Sequence, residues 1–155
     1  MDASQTVVDG WDDYGYKVNG IYMRGSVLCF PSFTLLWDVQ QIADVTHESL
    51  SPVLMFAPRV RVLLIGTGEE MQNVNPLLYG HFSKQGVAVE HMSSDNAMAT
   101  FNVLNQEGRP AAAALLSRKP LPRDEACFYA NGSADMVQGL AQQSQRSTYD
   151  VYDVP

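Results

Sequence analysis

Apolar residues fall into short blocks separated by turn formers, and their period changes along the chain. Tyr16-Lys17-Val18 and Ile21-Tyr22-Met23-Arg24 flank Asn19-Gly20. Asn-Gly supplies both positive-φ positions of a type I′ turn, so this pattern predicts a β-hairpin. Ser26 to Phe30 predicts another strand, stopped where Pro31 removes a ladder donor, and Phe33 to Val39 predicts one more. Thr46 opens a predicted helix whose apolar stripe is Leu50, Val53, Leu54 and Phe56, ending before Pro58.

Beyond that point the pattern alternates between strand and helix. Val60 to Ile65 is an aliphatic run that enters Gly66-Thr67-Gly68, the signature of a buried strand with a turn at its carboxyl end. Asn75 as N-cap and Pro76 in the first helical position start a helix with the face Leu77, Leu78 and Phe82, closed by Gly86. Val87 to His91 is the next strand. Ser94 or Asp95 then caps a helix from Asn96 to Glu107 whose Ala97, Phe101 and Leu104 share a face, with Gly108 at C′. Ala111 to Leu116 suits a helix by propensity and a buried strand by position, and position favours the strand. Strand, helix, strand, helix, strand demands parallel strands joined by crossovers, so the predicted class is α/β, with antiparallel strands added at the N-terminal end. The expected organisation is an acidic N-terminal arm over 1–15, an α/β domain over 16–117 and a polar extension over 118–155. Within the extension, Ser133 caps a short predicted helix with the face Met136, Val137 and Leu140, and Tyr149 to Val154 alternates in an extended pattern.

A chain of 155 residues suits one domain on the rough prior of ~150 residues each. Ten Lys and Arg against seventeen Asp and Glu give a net charge of −7, which removes the long-range attraction for phosphate backbones on which most nucleic-acid binding depends. Cys29 and Cys127 are far apart and form no C-x-x-C, so neither a disulfide framework nor a zinc finger is indicated. The uncharged stretch Gly25 to Trp37 contains Pro31 and falls short of the ~20 apolar residues of a membrane helix.

Gly66-Thr67-Gly68 occupies the place where open α/β sheets bind ligands, the carboxyl ends of the strands. Glu90, Asp95, Asn96 and Thr100 belong to the end of the following strand and the helix after it, so these residues together outline a possible cleft. As a phosphate cradle it is incomplete. The third glycine of G-x-G-x-x-G is missing, G-K-[ST] is absent, and Glu69 and Glu70 stand where phosphates would sit. The glycines serve equally for a tight turn and close packing. Glu90 and His91 are adjacent on a strand and point to opposite faces, which separates them as an acid–base pair. His47, His81 and His91 lack metal-ligand spacing, and no serine sits in a G-x-S-x-G elbow. No catalytic residue, metal site or cofactor is assigned.

Several blocks together resemble the mitochondrial complex I assembly factor 3 family. They are Tyr16 to Phe30 (YKVNGIYMRGSVLCF), Trp37, Asp44 to Leu50 (DVTHESL), Val62 to Gly68 (VLLIGTG), Gly86 to Glu90 (GVAVE) and Asp95 to Arg109 (DNAMATFNVLNQEGR), in order and spacing over residues 16 to about 116. The resemblance implies a three-layer domain with a central mixed, largely parallel sheet and an added N-terminal β-hairpin layer. It implies a non-catalytic protein that assembles with complex I or is retained as an accessory subunit. It also implies partners among complex I subunits and assembly factors, including an assembly factor 4 homologue, and membrane contact only through them. The implied location is mitochondrial, on the matrix side of the inner membrane, with a cytoplasmic branch of the family as the alternative. Two features depart from the family. The first sixteen residues carry four aspartates and no base, unlike Arg-rich presequences, and a long tail follows Arg118. The competing reading is a small-ligand binder or enzyme that uses the cleft.

Overall fold

The computed structural model describes residues 5–56 and 59–122. Its strands are β1 (Val8–Trp11), β2 (Gly15–Val18), β3 (Ile21–Arg24), β4 (Ser26–Cys29), β5 (Thr34–Trp37), β6 (Val62–Gly66), β7 (Ala88–Met92) and β8 (Ala111–Leu115), and its helices are α1 (Leu77–Ser83) and α2 (Ser94–Gln106). β1, β2 and β3 form an antiparallel sheet, and the central sheet has the order β5-β4-β8-β6-β7. β6 pairs in parallel with both β7 and β8, while β4 runs antiparallel to β8 and β5. The expected mixed, largely parallel sheet is therefore present, with β4 alone opposed to its four companions.

Alternation along the strands divides the core in two. Leu63, Ile65, Ala112 and Ala114 face one layer with Leu78 and Phe82 of α1, while Leu64, Ala111, Ala113 and Leu115 face the other with Ala97 and Phe101 of α2 and Tyr16 and Val18 of the hairpin. The reason lies in the strand order. The β6-to-β7 crossover moves toward one edge and the β7-to-β8 crossover moves back past β6, so two connections of one hand put their helices on opposite faces. Ala111 to Ala114 become a strand despite their helix propensity because β8 sits between β4 and β6, where small side chains let layers approach on both faces.

Four expectations are revised. The stripe from Leu50 to Phe56 forms no α-helix: Thr46 and Ser49 cap one another reciprocally, and a 3-10 segment follows at Ser51–Leu54. Pro52 disfavours the α conformation at Ser51 and lacks a donor of its own, which breaks the helical run. Helix α2 is capped by Ser93, whose hydroxyl oxygen accepts from Asn96 N–H, and not by Ser94 or Asp95. The stretch expected as an acidic arm contains β1, which joins the hairpin as a third strand through Val8 opposite Val18 and Trp11 opposite Tyr16. The compact unit also reaches Leu121, beyond the expected boundary at 117, because Leu121 is buried and its N–H donates to Gln40 Oε1 at 3.1 Å. The helix expected after Ser133 and the extended run from Tyr149 lie outside the described residues.

Three asparagines hold the N-terminal segment in place. Asn102 of α2 accepts from Val8 N–H at 3.0 Å and donates to Val8 C=O at 2.9 Å, so one side-chain amide replaces the missing neighbour of an edge strand. One turn later Asn105 donates to the carbonyls of Thr6 and Pro31, and Asn19 in the hairpin turn accepts from Val7 N–H at 2.7 Å. Replacing Asn102 with alanine should destabilise the fold by about 1–3 kcal/mol, because buried polar groups lose their partner. The check is urea denaturation together with amide exchange at Val8, which should accelerate while exchange at Leu64 follows only the global change.

Candidate functional site

The parallel strands end together, and the exits of all three are bound to one another. Thr67 N–H donates to Met92 C=O at 2.9 Å, Ser94 N–H to Gly68 C=O at 2.9 Å and Leu116 N–H to Gly66 C=O at 3.0 Å. Fully buried Ser94 joins them through its side chain. Its hydroxyl accepts from Gly68 N–H at 2.8 Å and donates to Leu116 C=O at 2.8 Å. Tyr16 of β2 donates to the same carbonyl at 2.5 Å, which brings the hairpin layer into the network. Gly66 is required here for space: a Cβ would lie 2.9 Å from Ser94 Cα and 2.9 Å from its Oγ. Gly68 is required for conformation, with φ at +101°.

A cleft of about 390 Å³ opens above this network, lined by Thr67, Gly68, Gln40, Gln72, Ser117 and Arg118 among others. Thr67 is buried, and its hydroxyl lies 2.8 Å from Glu70 C=O and accepts from Gln72 N–H at 3.0 Å, folding the loop after β6 back on itself. Arg118 donates from one guanidinium nitrogen to both carboxylate oxygens of Asp95, at 3.0 and 2.9 Å, and its other terminal nitrogen lies 3.7 Å from Glu69. Two carboxylates thus offset the one cation at the rim, which leaves no surplus positive charge for a phosphate. Two buried side chains of the adjoining strands, Tyr16 of β2 and Cys29 of β4, are held neutral. Burial lifts the Tyr16 phenol well above its ordinary value, and burial pushes the Cys29 thiol up to about 12. Neither is a nucleophile at neutral pH.

Of the residues expected in a cleft, Thr67 and Gly68 line it, Gly66 lies beneath it, and Asp95 holds the arginine at its rim. Glu90, Asn96 and Thr100 are not among its lining residues. Glu90 is exposed on β7 opposite Leu64, Asn96 is exposed in the first turn of α2, and Thr100 Oγ1 meets Met92 Sδ at 3.8 Å. His91 shares the opposite face with Ile65 and hydrogen-bonds Tyr79 of α1, so the separation expected for Glu90 and His91 is observed. Ser94 and Arg118 were missed. The sequence offers Ser94 or Asp95 as the cap, a role that Ser93 performs, and Arg118 belongs by composition to the expected extension. Among the described residues, no group of three or more His, Cys, Asp or Glu is placed to hold a metal ion, and no helix is long and apolar enough to cross a membrane.

A family model described as "Protein of unknown function (DUF498/DUF598)" matches residues 8–116. The protein of Xenopus tropicalis named NADH dehydrogenase [ubiquinone] 1 alpha subcomplex assembly factor 3 is 35% identical over 117 residues. The chain belongs to the complex I assembly factor 3 family. The match to the frog protein covers 76% of this chain and 64% of that protein, so the chain spans less than two thirds of its relative's length. The fold of this family member is similar to two solved structures. An outer membrane protein from Bartonella henselae is 31% identical, with a TM-score of 0.68 over 76% of this chain and 98% of that one. A Mth938-like domain from Bordetella pertussis, 24% identical, gives 0.69 over 81% and 93%. The chain's VLLIGTG block encodes Gly66 and Gly68 of the strand-end network, and its DNAMATFNVLNQ block supplies Asn102 and Asn105.

Two outcomes follow from this network in the assembly factor 3 family member. Gly66→Ala should cost about 1–3 kcal/mol of stability, since the clash is with backbone and a packed hydroxyl, while Gly80→Ala, whose Cβ would meet nothing within 4 Å, should be neutral or slightly stabilising. Chemical denaturation of both variants checks this. Because Tyr16 and Cys29 have raised values when folded, the unfolded chain loses their protons first, from ordinary values of 10 and 9. The stability they contribute is complete below pH 9 and falls as pH rises toward the folded values, by up to about 1.4 kcal/mol per pH unit for each group. Urea denaturation from pH 7 to 11 should show a plateau and then a decline, and the Tyr16→Phe, Cys29→Ala double variant should decline less steeply.

Proposed function

We propose that the chain is a non-catalytic protein that acts in the assembly of mitochondrial complex I on the matrix side of the inner membrane. The observation that carries this reading is the family membership, in which the matched relative bears the name of an assembly factor for that enzyme. The state of the strand-end network supports it. Ser94, Thr67 and Arg118 spend their polar groups on the chain's own backbone and carboxylates, which rigidifies a surface and leaves little to act on a substrate. Its action is through contacts with complex I subunits and assembly proteins, a homologue of assembly factor 4 among them. Membrane contact runs through those partners, nucleic acid plays no part, and retention in the finished complex as an accessory subunit is an extension of the same role.

The test is gentle detergent extraction of mitochondria, native-gel separation and mass spectrometry of the bands. Migration with partial complexes is the expected result, migration with the mature enzyme establishes retention, and absence from mitochondria overturns the reading in favour of the cytoplasmic alternative. The cleft of about 390 Å³ favours a second reading, a small-ligand binder. A thermal-shift screen with nucleotides and organic acids tests it: a ligand at 100 times its Kd stabilises by about 2.7 kcal/mol, and no shift with any of them removes it.

A further inference from the structure

The amino ends of β6, β7 and β8 meet at the other end of the central sheet, with Val62 opposite both Ala88 and Ala111. Arg61 N–H donates to Pro110 C=O and Ala88 N–H to Arg61 C=O, both at 2.9 Å, so the segments before these strands share that end. β4 runs the opposite way and finishes there, with Cys29 opposite Ala113, which delivers Phe30 and Phe33 to the same place. Phe56 packs edge-on against both rings, 5.5 Å from Phe30 and 4.9 Å from Phe33 between centroids.

The charge of this end is opposite to that of the chain. Segments 59–61, 84–88 and 105–111 carry Arg59, Arg61, Lys84 and Arg109 against the one carboxylate of Glu107, in a protein whose net charge is −7. All four cations are exposed. Beside them Met55 is 72% exposed and Phe56 39% exposed, so an apolar tip stands within a basic rim. Part of the tip and rim is held by the chain itself: the Phe56 ring packs on its two neighbours, Arg59 donates to Gln85 C=O at 3.0 Å, and Arg109 lies 3.9 Å from the exposed Glu107 carboxylate. A recess of about 380 Å³ lined by residues including Pro31, Ser32, Arg109 and Pro110 opens beside them.

We propose that this end is the docking surface for a partner protein that presents carboxylates around an apolar pocket, the pocket taking Met55 and Phe56 and the carboxylates pairing with Arg59, Arg61 and Arg109. Charge complementarity selects an acidic partner. The residue types select a protein over an anionic bilayer. Arginine, methionine and aromatic side chains are those enriched in protein interfaces, lysine is depleted there, and three of the four cations here are arginine. Planar guanidinium forks suit carboxylate pairing, whereas recruitment to an anionic bilayer takes polybasic clusters of Lys and Arg, and such a bilayer would repel the acidic remainder of the chain. The inference rests on the reading of the chain as an interaction protein, and not on which complex it serves.

The experiment places p-benzoylphenylalanine at Met55 of the full chain in its own cells, with Val103, 52% exposed on α2, as the control position. Irradiation and mass spectrometry then identify the adducts. The expected adduct from position 55, and not from 103, is a segment of another protein in which Asp or Glu residues flank the attacked apolar side chain. The Arg59→Glu, Arg61→Glu double variant should lower its yield about tenfold or more with the melting temperature retained. Adducts with lipid, with a second copy of the chain or with a segment lacking carboxylates would overturn the proposal, as would no adduct or a yield indifferent to charge reversal. An acidic partner outside complex I would leave the surface standing and remove the proposed function. A charge-reversed variant that still migrates with complex I particles, with unchanged adduct yield, would do the converse.

Discussion

The carboxyl edge of the central sheet depends on one hydroxyl seated where no Cβ fits. Ser94 Oγ occupies the space beside Gly66, and from there it reaches Gly68 N–H on one side and Leu116 C=O on the other. Remove the glycine and helix α2 cannot approach β6. Remove the hydroxyl and a buried N–H in the loop after β6 loses its acceptor, a cost that native structures almost always avoid. The same carbonyl of Leu116 receives Tyr16, so the hairpin layer, both crossovers and the exit of β8 share a common reference point. Arrangements of this kind are cooperative, because each bond is made in a dry environment where the alternative is an unpaired group.

A comparable economy governs the N-terminal edge. β1 is short, bulged after Val8 and flanked by a helix, and without Asn102 its outer backbone groups at Val8 would face α2 unpaired. An asparagine amide carries a donor and an acceptor at the spacing of a peptide group, which makes it a substitute for a neighbouring strand. Asn105, one turn further on, ties Thr6 and Pro31 to the same helix and so couples β1 to the end of β4. The carboxyl half of α2 is thus fixed by side chains to segments 74 to 99 residues away.

These devices mark the boundary of what the sequence reveals. The hairpin, the buried aliphatic strands and both crossover helices were legible because each rests on local information: Asn19-Gly20 for the turn, period-2 and aliphatic runs for strands, Asn75-Pro76 for a helix start. The glycines of GTG were legible as special, but the reason for Gly66 was not, since the group that excludes a Cβ arrives from Ser94, twenty-eight residues on. β1 escaped notice because Val8 to Trp11 has little apolar periodicity and gains its place from Asn102, a polar residue on a helix face whose partners no periodicity discloses. Arg118 was lost for the opposite reason. Its composition belongs with the polar tail, while its geometry belongs with Asp95. The broken helix at Ser51–Leu54 shows a residue outranking a stripe, because Pro52 removes a donor wherever the apolar positions fall.

The two ends of the central sheet therefore differ in kind. At the carboxyl end, where α/β sheets ordinarily keep a site, carboxylates meet the one guanidinium, hydroxyls meet carbonyls, and the Tyr16 phenol is pressed into its neutral form. At the amino end, arginines and two apolar side chains stand outward on a rigid footing of stacked rings. Chemistry on a small substrate calls for unspent polar groups converging in a recess, while recognition of a protein calls for preorganised anchors on an accessible face. On the proposed reading, the polar groups at the carboxyl end serve the fold and the side chains displayed at the amino end serve recognition.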